Sequence, residues 1–185
     1  MRRTIVEPAD LGGSALAELK SWLGISRPNE DDLLIGLLRA SLATCEAFTG
    51  QAPLMQTVEE WAPPLVGKSN LTTQPVNSLV SIEAIIPGAN RTGIDASEFE
   101  SKFQSSGTAS IELRRTIDAQ AIAVRVRTGI AATWETIPAA LKQGIIRLSA
   151  YYYRDRDRSG GRKQDVPPPA SVTALWRPWR TIRLR

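Results

Sequence analysis

AIAVRVRTGIAATWETIPAALKQGIIRLSAYYYRDRDR, residues 121–158, changes its period halfway along. Over 121–128 apolar and polar positions alternate. Ile122, Val124 and Val126 point one way and Arg125 and Arg127 the other, the pattern of a half-buried strand with a solvated outer face. From 136 onward the spacing is helical. Leu141, Ile145, Leu148 and Tyr152 make one stripe, Ile146 and Tyr153 flank it, and Pro138 suits a first helical turn.

Upstream of this stretch the same two periods recur in blocks. SALAELKSWLG (14–24) reads as a short amphipathic helix with Ser14 as N-cap, Leu16, Leu19 and Leu23 on one face, and Gly24 as its stop. RPNEDDLLIGLLRASLATCEAFTG (27–50) is the clearest helix. Asn29 caps it, and Glu30, Asp31 and Asp32 place negative charge at the positive end of its dipole. Leu34, Leu37, Leu38, Ser41, Cys45 and Phe48 then follow helical spacing to Gly50. LMQTVEEW (54–61) reads as a strand, and SLVSIEAII (78–86) as another with Val80, Ile82, Ala84 and Ile86 on one side. PGANRTG is a turn, and 94–105 is weakly patterned. ASIELRR (109–115) and 121–128 read as a hairpin. The expected fold class is α+β: a small helical bundle with an inserted antiparallel β region and an extended C-terminal arm.

Downstream, RSGGRKQDVPPP (158–169) reads as a flexible connection. ASVTALWRPW follows, with room for about two helical turns before Pro178. The final residues are rich in arginine. Residues 151–185 hold nine basic and three acidic groups, a net +6, within a chain whose total is +4, so the first 150 residues are mildly acidic. The RDRDR run (154–158) alternates charges as a salt-bridge-laced surface does, and each aspartate cancels part of any attraction to phosphate.

Composition narrows the chemistry. With 42% hydrophobic and 23% charged residues, the 185-residue chain is an ordinary globular protein that buries a core. No run approaches the ~18 apolar residues of a membrane span, and the start lacks the apolar region of a signal peptide, so synthesis in the cytoplasm is expected. There is no histidine and a single cysteine, Cys45. That removes histidine-based acid–base and triad chemistry and the common zinc sites. Cys45 lies on an apolar stripe and reads as core filler. The carboxylate pairs Asp31–Asp32, Glu59–Glu60 and Glu98 with Glu100 have no partner base near in sequence, so a carboxylate hydrolase is a weak reading. No glycine-rich stretch matches a phosphate-binding fingerprint. The expectation is no catalytic residues, no metal and no cofactor.

The tail is the remaining candidate. Tryptophan and arginine dominate binding hot spots, and composition leaves three roles open for Trp176, Trp179 and their arginines: folding back on the domain, gripping nucleic acid, or docking into a partner protein.

The order of motifs resembles the head–tail connector (adaptor, or head-completion) family of tailed double-stranded DNA phages and gene transfer agents. ELKSWLGI followed by DDLLIGLLRASLATCEAFTG looks like the family's opening helix pair, in which a paired acid precedes a long helix ending in aromatic-Thr-Gly. PVNSLVSIEAI is similar to its Pro-Val-x-Ser-hydrophobic strand. VRVRTGIAATWETIPAALKQGIIRLSAYYYRDRD resembles its strand, glycine and Ile/Val-Pro helix ending in Tyr-x-x-Arg. VPPPASVTALWRPWR looks like its closing Val-Pro-x-x-Val-x-x-Leu-Leu-x-Pro-Tyr-Arg, with Trp176 and Trp179 where the family usually has Leu and Tyr. The likeness covers roughly 15–61, 75–86 and 122–180, and 87–120 is longer than usual.

The resemblance implies a non-enzymatic assembly protein: a dodecameric ring below the portal that extends the DNA channel and receives the stopper or tail-side connector. Its partners would be the portal protein, that tail-side protein, further copies of itself, and DNA passing without sequence-specific binding. No membrane is implied. Residues 1–157 would form one connector domain, with a helical core of 14–50 and 136–157 and a β lobe of 54–128. Residues 158–185 would be a tether and portal-docking arm anchored by Val172, Leu175, Trp176, Arg177, Pro178, Trp179 and Arg180. Arg154, Asp155, Arg156 and Asp157 would serve an intersubunit contact. The chain would be made in a bacterial host's cytoplasm and assembled into the particle neck. The alternative is a nucleic-acid-binding protein that uses its arginine-rich tail.

Overall fold

The computed structural model describes residues 2–158 and 167–180, with side chains through 155 in the first stretch. In chain order the elements are β1 (Arg3–Glu7), α1 (Ser14–Leu23), α2 (Asp31–Thr49), β2 (Gln56–Ala62), β3 (Gly67–Asn70), β4 (Val76–Ile85), β5 (Thr92–Gly93), β6 (Phe99–Phe103), β7 (Ala109–Leu113), β8 (Ala121–Thr128), α3 (Ala139–Arg158) and α4 (Ala170–Trp176). The chain is α+β. It divides into two units, Met1–Ala9 with Met55–Gly129, and Asp10–Leu54 with Ile130–Arg185.

The second unit is helical. Gly24 and Gly50 end α1 and α2 in the left-handed conformation, where a missing Cβ removes the steric penalty. Gly13 rather than Ser14 occupies the N-cap of α1. A 3-10 turn over Pro28–Glu30 precedes α2, so its N-cap is Glu30 rather than Asn29. Leu16 and Leu19 of α1, Leu34, Leu38 and Leu42 of α2, and Leu141, Ile145 and Leu148 of α3 are buried at helical spacing. The Ser149 hydroxyl lies within hydrogen-bond distance of the Ser41 hydroxyl (2.8 Å) and of the Ile145 carbonyl (2.9 Å), which satisfies the polar atoms between α2 and α3. Pro138 sits just before α3, and its carbonyl accepts from Lys142 N. Trp134 is buried ahead of it and donates to Glu18 at 2.8 Å.

The first unit holds two antiparallel sheets, in strand orders β1-β2-β8-β4-β5 and β3-β7-β6. Val58, Ile82, Ile122, Val124 and Val126 of the larger sheet share a core with Ala109, Ile111 and Leu113 of the smaller. Two expectations are corrected here. β7 and β8 are not a hairpin: β7 pairs with β3 and β6, while β8 pairs with β2 and β4. The linking segment carries Ile117 into the core, and its amide donates to the Pro64 carbonyl at 2.7 Å. A link longer than a tight hairpin turn lets the chain change sheets. Val80 also leaves the apolar face of β4. Register shifts at 76–78 and 79–81 insert extra residues, so Val76, Leu79, Ile82 and Ala84 turn inward and Val80 is exposed. β1, an edge strand with mostly exposed side chains, carries no burial pattern that marks it in the sequence.

Candidate partner-binding surfaces

The C-terminal segment is built around Trp176. Three prolines lead into α4, where the amides of Val172 and Thr173 bond the Pro169 carbonyl. Pro178 lacks an amide hydrogen, and the helix gives way to a 3-10 turn over Arg177–Trp179. The indole of Trp176 is 0% exposed, and its Nε1 donates to the Leu141 carbonyl at 3.2 Å. It reaches that carbonyl because α3 carries Gly144 alongside: a Cβ there would lie 2.2 Å from Trp176 Nε1. Phe48 of α2 packs at 6.1 Å between ring centroids, and the Arg180 guanidinium lies 5.6 Å over the Phe48 ring. Gln51 Nε2 donates to the Trp179 carbonyl at 2.8 Å. Burying an indole is worth about 4–6 kcal/mol in area terms.

Of the three roles open to the tail, residues 170–180 thus take the first. Val172 and Trp176, expected as portal-docking anchors, are core residues of the helical unit, because the indole finds both a slot and an acceptor on α3. Leu175 and Trp179 are half-buried, and Arg177, Pro178 and Arg180 are exposed. Of the flexible connection expected over 158–169, residues 159–166 lie outside the described residues, as do residues 181–185.

At the far end of α3, Arg154 is exposed and Asp155 half-buried; the side chains of Arg156 and Asp157 lie outside the described residues. Arg154 borders a cleft of about 510 Å³ lined by Trp22 of α1, Arg147, Tyr151 and Asp155 of α3, and Val172 of α4.

Of the six carboxylates paired in the sequence, all but Asp32 are occupied in structural contacts. Burial alone would push the Glu59 carboxyl up, but hydrogen bonds from Arg91, Trp61 and Arg125 together with the Arg91 charge hold it down at about 2. Arg91 approaches it at 2.6 Å and Arg125 at 2.9 Å, and both also face Glu83, so charge alternates across the outer face of the larger sheet. Arg125, expected to point into solvent, is a member of this network. The Arg2 guanidinium stacks 4.8 Å over Trp61 at its margin. Glu60 is fully buried and accepts from Thr72 N at 2.8 Å, Thr73 N at 2.6 Å and both threonine hydroxyls. Asp31 pairs with Lys20 at 2.6 Å, Glu98 with Arg115 at 2.5 Å, and Glu100 with Lys102 at 3.4 Å. Burial, reinforced by Glu46, pushes the Cys45 thiol up to about 12, so it is not a thiolate nucleophile at neutral pH. Among the described residues no group of three or more acidic or cysteine side chains is placed to hold a metal ion, and no helix is long and apolar enough to cross a membrane.

The sequence reading missed Gly144, Phe48 and Gln51 as partners of the tail. A glycine in mid-helix, unfavourable by roughly 1 kcal/mol against alanine, is the one local signal that something packs closely there.

No protein-family model matches the chain, and no curated protein does. Solved structures do. A chain in the neck of an empty GTA particle computed with C6 symmetry superposes with a TM-score of 0.75 at 22% identity, covering 100% of this chain and 98% of that one. A chain in the neck of a native GTA particle computed with C12 symmetry gives 0.74 at 20% identity, with the same coverage. A chain in the virion of a native gene transfer agent particle gives 0.73 at 21% identity, again over 100% and 98%. From end to end, the chain carries the fold of these gene transfer agent particle chains.

Proposed function

We propose that the chain is a structural head–tail adaptor of a phage or phage-like particle, a non-enzymatic ring subunit below the portal that extends the DNA channel and joins the head to a stopper or tail-side protein. The observation that carries this reading is the fold shared over the whole chain with chains of gene transfer agent necks and virions. The cyclic symmetry of those necks supports self-association into a ring. The chain is made in the bacterial host and works in the assembled neck.

The portal contact falls to the exposed side of the C-terminal segment. Arg177, Pro178 and Arg180 are offered outward, with Leu175 and Trp179 at their flank, while Val172 and Trp176 hold the segment in place. Arginines on a fixed frame lose less freedom on binding than a loose tail would. DNA passes the ring without being read.

Deleting the gene from a producing strain tests the role. Filled heads and separate tails should accumulate without joining; intact, tailed particles in normal number would contradict it. The competing reading, a nucleic-acid-binding protein, requires binding by the isolated chain that weakens steeply as salt is added.

A further inference from the structure

The helical unit carries two dissimilar surfaces that complement one another. The cleft between α1, α3 and α4 has an apolar lining from Trp22, 46% exposed, with Ala150 and Val172. Two guanidiniums border it. Arg147, Tyr151 and Arg154 recur at i, i+4 and i+7 and so share one face of α3. Neither arginine meets a carboxylate within salt-bridge distance among the described residues, and Asp155 is the one acid at the rim.

The start of α2 is the counterpart. Tyr153, which at a 3.6-residue period points to the other side of α3, donates to Glu30 at 2.7 Å and marks where that start lies. Asp31 is engaged by Lys20. Asp32 is exposed with no cation beside it among the described residues, and Leu33 next to it is 36% exposed. The charge of the unit is divided the same way. Among the residues whose side chains are described, 10–54 hold six acidic and three basic groups, and 130–155 with 167–180 hold two acidic and five basic.

A closed ring needs a heterologous interface: two different patches on one subunit, each fitting the other on its neighbour. We infer that the Trp22–Arg147–Tyr151–Arg154 cleft receives the start of α2 from the next copy of this chain. Leu33 enters between Trp22 and Val172, and Asp32 lies between the guanidiniums of Arg147 and Arg154. The cleft favours a protein segment over a phosphate backbone because its lining is apolar and Asp155 stands at its rim. The inference rests on the ring reading above and names the faces that close the ring.

The test uses assembled particles carrying the full chain. Reversing the cleft (Arg147→Glu with Arg154→Glu) should lower the amount of this chain in purified particles at least about tenfold, while circular dichroism of the isolated variant stays that of the wild type. Adding Asp32→Arg should restore incorporation. A chain bearing Asp32→Cys and Arg154→Cys, treated with a short bismaleimide, should give a ladder of chain multiples that neither single variant gives. Incorporation unaffected by reversal, reversal not rescued by Asp32→Arg, or cross-links running only to a different protein would each overturn the pairing. Necks that contain no ring of this chain at all would overturn the ring reading as well, whereas a ring without the 32–154 ladder overturns the pairing alone.

Discussion

The seat of Trp176 and the outer face of the larger sheet hold their residues by opposite means. At Trp176 the protein removes a side chain, leaving Gly144 without a Cβ, and fills the space with an indole whose one polar atom finds a carbonyl. On the sheet it adds side chains, and Glu59, Glu83, Arg91 and Arg125 satisfy one another near solvent. The first arrangement depends on shape and is indifferent to pH and salt. The second depends on charge and follows both. A segment made of tryptophan and arginine therefore divides its work: Trp176 sets position, and Arg177 and Arg180 are exposed.

Trp176→Ala should break the first arrangement most severely, at about 3–5 kcal/mol of stability in denaturant unfolding, and should free the C-terminal segment to proteolysis. A loss below about 1 kcal/mol would mean that the seat collapses without consequence. Glu59→Gln should cost about 2 kcal/mol, because Arg91 and Arg125 lose the charge between them. The same group gives an acid signature. Its folded value of about 2 lies below the ordinary 4.5, so its contribution is complete above pH 4.5 and disappears as the pH falls towards 2. Stability measured from pH 6 to 2 should decline more gently in Glu59→Gln than in the wild type. Gly144→Ala should cost about 1–2 kcal/mol, the strain of a displaced indole outweighing the better helix propensity; a gain in stability would show that the indole is not seated there. Arg177→Ala with Arg180→Ala should change stability by under about 0.5 kcal/mol while lowering incorporation into particles, which separates the outward role from the inward one.

Long elements with one buried face were legible before folding. Helices α2 and α3 show the stripe that buries Leu34, Leu38, Leu141 and Ile145, and strand β8 shows its alternation directly. Their caps were less so, since Glu30 follows a 3-10 turn that no period announces. Strand β1 escaped because an edge strand with exposed side chains needs no alternation. The supposed hairpin failed because β7 and β8 both alternate, and a pattern names a buried face without naming the sheet that buries it. The seat of Trp176 joins residues far apart in the chain, so composition marked the indole as a binder without saying that its first partner is Leu141 of the same chain. Charge was legible as a total, whereas the placing of Arg147 and Arg154 at one cleft, and of Glu30 beside Tyr153, appears only once the helices pack.

Ring assembly in a particle neck is the role proposed for this fold. A cryo-electron microscopy map of the neck of intact particles tests it most directly. A closed ring of this chain is expected directly below the portal, with residues 177–180 of each copy against the portal. A complete neck in which this chain is absent, or bound elsewhere on the particle, would contradict it.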